Sequence, residues 1–155
     1  MRLPIWLGTV AYIISYPAIR LGLSNSRRSY IILIHQDRVL VTKNWLGYKR
    51  RWRLPGGGLH KNEQPLHGAL REMREELGLK LPPSSCKMLA KSAQAKRIDY
   101  TFWVYSCQLS AKPEFILSFD TITAQWVPYK QLNKRDMSEE LETALELAKT
   151  SSILV

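Results

Sequence analysis

The sequence predicts an α/β protein in which a mixed β-sheet is packed between helices, with an N-terminal hydrophobic helix in front of it. Three observations carry that prediction. Apolar β-rich runs and amphipathic stretches follow one another as strand pair, helix, strands, helix, the order of a sheet covered on two faces. A glycine turn, Gly56-Gly57-Gly58, opens into a strong helical pattern. Residues 3–23 carry one charge, Arg20, and differ in composition from everything that follows. A chain of 155 residues suits one compact unit able to bury most of its apolar surface. The expected division is a hydrophobic and basic segment over 1–28 and a catalytic-type domain over 29–155.

The first element is Leu3 to Leu23, apolar or small nearly all round, as a helix buried in protein or lipid would be. From Ile5 to Ile19 such a helix is about 22 Å long, against a bilayer core of about 30 Å. The full stretch just reaches, but with Pro17 and Arg20 inside, so spanning is marginal. Gly8, Ala11, Ser15, Ala18 and Gly22 form a small-residue stripe that would let another helix approach. Packing on the domain or a homodimer partner, and association of residues 3–28 with a membrane surface, both stay open. The arginines at 20, 27 and 28 would place the domain on the cytoplasmic side of such a membrane. A cleaved signal is disfavoured, because Arg2 is a thin charged start and no small-x-small site precedes the domain.

Tyr30–Ile34 and Arg38–Lys43 are strands joined by the turn His35-Gln36-Asp37, a hairpin. Residues 44–53, NWLGYKRRWR, then combine aromatic and basic side chains: Trp45, Tyr48, Lys49, Arg51 and Arg53 among them. Such a segment can form a substrate rim, with rings stacking on a base and cations meeting phosphate oxygens. A solvated loop with Trp45 or Trp52 tucked into the core reads equally well.

After Leu54-Pro55 the three glycines are expected as a loop, not a strand, whose backbone a ligand can approach closely. Pro65 suits a first helical turn, with Asn62 the expected cap, and Gly78 the expected stop after Leu77. Leu66, Ala69, Leu70, Met73 and Leu77 make one apolar stripe. The other face gathers Glu72, Glu75 and Glu76, like charges at helical spacing that Arg71 offsets only in part. Either this is a solvated acidic helix end, or a hard divalent cation turns the repulsion into attraction.

Lys87–Ala93 and Asp99–Leu109 are two further strands joined by Gln94 to Arg97, and Asp120–Pro128 leads through Trp126 into the last. Asp136 is the expected cap of a final helix burying Leu141, Ala144, Leu145 and Ala148. Cys86 and Cys107 have no metal spacing and no disulfide framework, and are expected as reduced thiols of a cytoplasmic protein. Residues 1–62 hold eleven Lys and Arg against one acid, Asp37, while 63–155 hold twelve of each sign, so the whole +10 excess precedes Glu63. That excess can serve anionic lipid, nucleic acid or substrate phosphates. Nucleic acid is the least favoured, since no separate motif for it appears.

From Gly57 to Leu79 the chain reads Gly57, five residues, Glu63, seven residues, then Arg71-Glu72-Met73-Arg74-Glu75-Glu76-Leu77-Gly78-Leu79. This resembles the Nudix box at all nine fixed positions, and the likeness extends over about Ser29 to Lys149. The resemblance implies a Nudix-like sandwich with the box as loop, helix, loop. It implies hydrolysis of a pyrophosphate bond in a nucleoside diphosphate linked to another group, with Mg²⁺ or Mn²⁺. By the same resemblance Glu72, Glu75, Glu76 and the Gly57 carbonyl are metal ligands, Arg71 holds a glutamate, and Glu63 and Gly78 support the box. Asp120, six before Trp126, takes the place of a further family acid but is shorter than the usual Glu. It is either a base or metal-linked group, or an ordinary loop carboxylate. The base that takes the proton of water is one of Glu72, Glu75, Glu76 and Asp120. Two other classes remain beside the enzyme: a non-catalytic module of the same fold, and a membrane-associated interaction protein. His60, in the box loop, is expected as an exposed histidine.

Overall fold

The computed structural model describes residues 5–45, 51–95 and 100–154. Its elements are α1 (Ile5–Leu23), β1 (Ser26–His35), β2 (Arg38–Asn44), β3 (Gly56–Gly58), α2 (Pro65–Leu77), β4 (Cys86–Gln94), β5 (Tyr100–Gln108), β6 (Thr121–Pro128) and α3 (Glu139–Thr150). The sheet order is β4-β5-β1-β2-β6, with β3 beside β1. β1 and β5 run parallel and the other pairs antiparallel, so the sheet is mixed as expected.

The alternation of β1 explains the two layers. Tyr30, Ile32 and Ile34 point into one core with Val39, Val41, Phe102, Val104 and the α3 residues Leu141, Ala144, Leu145 and Ala148. Ile31 and Leu33 point into the other with Leu40, Trp103, Tyr105 and the α2 residues Ala69, Met73 and Leu77. A strand buried on both faces needs apolar residues at every position, which is why Tyr30–Ile34 reads as an unbroken run. The α2 stripe is as expected: Ala69, Met73 and Leu77 are fully buried, and Leu66 and Leu70 pack against them at the margin. Met73 and Leu77 each contribute about 1.5–3 kcal/mol through that burial.

β1 uses one edge twice. Its end pairs with β2 (Ile34 with Val39, His35 with Arg38) around a tight turn in which Gln36 takes a left-handed φ of 55°. Its beginning pairs instead with β3, Arg28 with Gly58, Ser29 with Gly57 and Tyr30 with Gly56. The glycines are therefore a short strand, not the expected loop. Only a residue without Cβ lies this close: at Gly56, φ 137°, a methyl group would run into the Ser29 carbonyl and the Tyr30 backbone.

The helix caps also differ from expectation. The N-cap of α2 is Gln64, and Asn62 instead takes a left-handed φ of 63° in the preceding turn, a conformation Asn tolerates. The N-cap of α3 is Ser138, while Asp136 ends a short 3₁₀ turn whose carbonyl accepts the Trp52 N–H. Gly78 closes α2 in a left-handed conformation, its N–H returning to Arg74, as expected.

α1 packs broadly against no other described element, and Val10, Ile13, Ile14 and Leu21 are exposed on it. Among the described residues no helix is long and apolar enough to cross a membrane. Cys86 and Cys107 are free thiols that lie directly opposite each other across β4 and β5.

Candidate active site

Arg71 organises the acidic face of α2. Its Nε donates to Glu63 Oε1 at 3.0 Å and one terminal nitrogen to Glu63 Oε2 at 3.1 Å and to the Gly58 carbonyl at 2.8 Å. The other terminal nitrogen donates to Glu72 Oε1 and Glu75 Oε2, both at 2.9 Å. One guanidinium thus joins β3, the loop before α2 and two turns of α2. It holds the Glu63 carboxyl down to about 2, helped by the His60 N–H at 2.8 Å. The His60 ring itself is on the exposed side.

Glu76 is placed differently. It is 8% exposed, and its Oε2 accepts the Gly56 N–H at 3.0 Å. Burial pushes its carboxyl up to about 7, with the charges of Glu72 and Asp120 adding to the rise. Asp120 stands near it because the 116–120 loop is tied to the end of α2: Ile116 N donates to Leu77 O and Ser118 N to Glu76 O, each at 2.9 Å. The Ser118 hydroxyl then fixes Asp120 Oδ1 at 2.6 Å.

Gly57 leaves room for the carboxylates. A Cβ there would lie 2.6 Å from Glu72 Oε1 and 2.9 Å from its Oε2. Across the ladder, the Ser29 hydroxyl is buried with no partner among the described residues. Hard oxygen donors, repulsion between Glu72, Glu76 and Asp120, and a space kept open by Gly57 fit a divalent cation of the Mg²⁺ or Mn²⁺ kind. Among the described residues, no three acidic, histidine or cysteine side chains converge into a ready-made cage. Arg71 takes one oxygen of each neighbouring carboxylate, Glu72 Oε1 and Glu75 Oε2, and leaves the second oxygen of each outside its fork.

The basic and aromatic segment is divided. Tyr48 and Lys49 lie outside the described residues. Trp45 is half-buried, its N–H accepted from by no described group, while its backbone N–H donates to the Asp120 carbonyl at 2.8 Å. Trp52 packs on the α3-side core with Lys43 Nζ 4.0 Å above its ring. Arg51 is half-buried, its Nε without a described partner. Arg53 turns inward, its Nε 3.3 Å from Glu140 Oε1, and lies near enough to Glu76 to oppose the rise of that carboxyl.

Sequence reasoning missed the buried partners of this segment. Glu140 is 2% exposed and also accepts the Tyr100 hydroxyl at 3.4 Å. Arg28 donates through Nε to the Tyr30 hydroxyl at 2.8 Å. The single usable signal was the Arg28/Tyr30 spacing of two, which puts both on one face of a strand.

Comparison with known proteins agrees with this architecture. A family model described as NUDIX domain matches residues 25–147. The RNA pyrophosphohydrolase of Bartonella tribocorum is 36% identical over 89 residues, covering 53% of this chain and 49% of that protein. The chain thus spans about half the length of the curated relatives it matches. Among solved structures, a bifunctional NMN adenylyltransferase/ADP ribose pyrophosphatase from Francisella tularensis, complexed with AMP and a Mn ion, superposes with a TM-score of 0.70. That match has 19% identity and covers 92% of this chain and 47% of the other. A MutT NUDIX hydrolase from Burkholderia pseudomallei gives a TM-score of 0.69 at 19% identity, covering 80% of this chain and 98% of the other. At such identities these structures show a common fold. With the family model spanning most of its length, the chain belongs to the NUDIX family.

Proposed function

We propose that this chain is a divalent-cation-dependent hydrolase that cleaves a pyrophosphate bond in a nucleoside diphosphate linked to another group. The supporting observation is the charge arrangement on α2, where Arg71 locks Glu63, Glu72 and Glu75 while Glu76 is held buried, unpaired by any described cation, beside Asp120. A solvated acidic helix end would not bury Glu76 or hold its carboxyl near 7.

In this reading Glu72, Glu75, Glu76 and the Gly57 carbonyl hold the cation. Mg²⁺ or Mn²⁺ supplies charge neutralisation at the phosphate oxygens and acidifies a water. Arg71 sets the rotamers of Glu72 and Glu75, so their oxygens are ordered before substrate arrives. Water attacks phosphorus, and its proton passes to a carboxylate of the Glu72, Glu75, Glu76 and Asp120 group. Asp120 is fixed by Ser118 and is near enough to Glu76 for its charge to raise that carboxyl, which makes these two the acceptors to compare first. In this reading Trp45, whose backbone N–H donates to the Asp120 carbonyl, and Arg51 would line the site on the nucleoside side.

Substrates of this class include nucleotide sugars and ADP-ribose. The names of the curated relatives make a 5′-polyphosphorylated RNA end a further arm of the test. With Mg²⁺, a panel of these compounds should release products whose masses identify the broken P–O bond. Absence of turnover across the panel, with binding retained, would favour a non-catalytic module.

A separate role at a membrane is favoured by one observation: α1 exposes Val10, Ile13, Ile14 and Leu21 just ahead of the basic start of β1. In that reading residues 3–28 lie on an anionic membrane surface with the catalytic domain on its cytoplasmic side.

A further inference from the structure

The chain has two cysteines, and the sheet brings them to one rung. Cys86 opens β4 and pairs directly with Cys107, near the end of β5, in an antiparallel ladder. Directly opposed residues of such a ladder point to one face, with Cα atoms about 4.5 or 5.5 Å apart according to the phase of the hydrogen bonding. Both spacings lie inside the roughly 4.4–6.8 Å that a disulfide spans. The common face is observed, since Cys107 belongs to the α2-side core and Cys86 packs against the same cluster. The Ser85 hydroxyl sits at both sulfurs, 3.9 Å from Cys86 Sγ and 3.3 Å from Cys107 Sγ. A hydrogen bond from the Cys86 thiol pulls Cys107 down to about 6 although burial opposes it.

The two sulfurs differ in access. Cys107 is fully buried and Cys86 half-buried, on a strand that ends the sheet order with β5 as its neighbour. An oxidant arriving from solvent therefore meets Cys86 with its partner already in place. Packing alone would be served by alanine or valine at both positions and does not call for sulfur against sulfur at the margin of the core. The strand that such a bond would fasten is also the irregular one. Its register shifts between Met88 and Ala90 and again between Ala90 and Ala93, while Cys86, Lys87 and Met88 pair in regular order.

We propose that Cys86 and Cys107 are a reversible oxidation site, a dithiol that a hydroperoxide converts into a cross-strand disulfide fastening the edge strand β4 to β5. One sulfur, as thiolate, takes an oxygen from the peroxide and releases hydroxide, becoming a sulfenic acid. The second thiol attacks that sulfur and expels the oxygen as water, which forms the S–S bond. Two thiols and one hydrogen peroxide thus give one disulfide and two waters, with two electrons passing from sulfur to the peroxide oxygens. Neither cysteine belongs to the acidic site on α2, so the inference stands apart from the hydrolase reading.

The test treats the full chain with a small excess of hydrogen peroxide, removes the excess with catalase and alkylates the remaining thiols. Peptide mapping without reductant should give a linked Cys86–Cys107 species about 2 Da lighter than the sum of its two thiol peptides, from a chain that stays monomeric. Closing residues 86–107 into a loop restricts the unfolded chain, so the oxidised protein should melt about 5–10 °C above the reduced one. Dithiothreitol should restore both thiols and the lower melting temperature. Cys86→Ser, a change at the half-buried margin, should melt near reduced wild type and show no rise with peroxide. Both thiols still open to alkylation would overturn the proposal, as would oxygen added to one cysteine without a linked peptide, or a covalent dimer through Cys86. So would an oxidised protein that melts at or below the reduced one, or a peroxide-induced rise that persists in Cys86→Ser.

Discussion

Replacing Glu76 by Gln should make the metal-free protein more stable and the enzyme inactive. In the fold, burial raises this carboxyl from 4.5 to about 7. As pH rises, the unfolded chain releases the proton first, near 4.5, while the folded chain keeps it up to about 7. Folding therefore loses stability across that window and stays at the lower level above it. A gap of 2.5 pH units corresponds to about 3 kcal/mol at ~1.4 kcal/mol per unit. Gln keeps the Gly56 N–H bond through its carbonyl oxygen and carries no charge to desolvate. At pH 8 in EDTA, Glu76→Gln should thus melt about 6–12 °C above wild type, at ~2–4 °C per kcal/mol for a chain of this size. At pH 4.5 the difference should vanish. Scanning calorimetry of both proteins at pH 4.5, 6 and 8 measures this directly. Added Mg²⁺ should raise the wild-type midpoint at pH 8 and move the variant less. A Glu76→Gln protein that melts at or below wild type at pH 8 would refute the argument, because Glu76 would then be an ordinary structural carboxylate.

Three further outcomes follow from the same geometry. Gly57→Ala places a methyl 2.6 Å from Glu72 Oε1; kcat should fall at least ~100-fold, the scale of misplacing a reacting group, with a melting temperature within a few degrees of wild type. Arg71→Lys loses the fork that joins Glu63, Glu72, Glu75 and Gly58; chemical denaturation should show a loss of about 2–3 kcal/mol and turnover should drop with it. Deleting residues 1–24 should leave the melting temperature and turnover nearly unchanged, since α1 packs broadly on no described element, and should abolish sedimentation with anionic vesicles; unchanged sedimentation would argue against the membrane role.

The fold was legible where one residue's neighbours are set by period alone. The α2 stripe, the α3 residues Leu141, Ala144, Leu145 and Ala148, and the double-sided strand Tyr30–Ile34 all follow from spacing. What failed was local geometry decided by distant contact. Gly56–Gly58 reads as a loop because glycine is a poor strand former, yet its missing Cβ is what allows it to pair against Ser29 and Tyr30. Asn62 and Asp136 read as caps, but neither occupies the cap position, since Pro65 and the Trp52–Asp136 bridge fix where the helices begin. The acidic cluster was legible because Glu63, Arg71, Glu72, Glu75 and Glu76 lie within fourteen residues. The pairing of Arg53 with Glu140, 87 residues apart, carries no local signal. Two halves of the site thus differ in legibility: α2 encodes its own contacts, and the sheet face borrows them from across the chain.

The measurement closest to the central claim is hydrolysis in ¹⁸O-labelled water with Mg²⁺. Wild type and Glu76→Gln would be assayed over ADP-ribose, nucleotide sugars, dinucleoside polyphosphates, nucleoside triphosphates and 5′-polyphosphorylated RNA. The account predicts wild-type cleavage of a P–O–P bond in at least one of them, with ¹⁸O on a product phosphorus, stopped by EDTA and by Glu76→Gln. Cleavage that survives either EDTA or the substitution, or ¹⁸O on carbon, would contradict it.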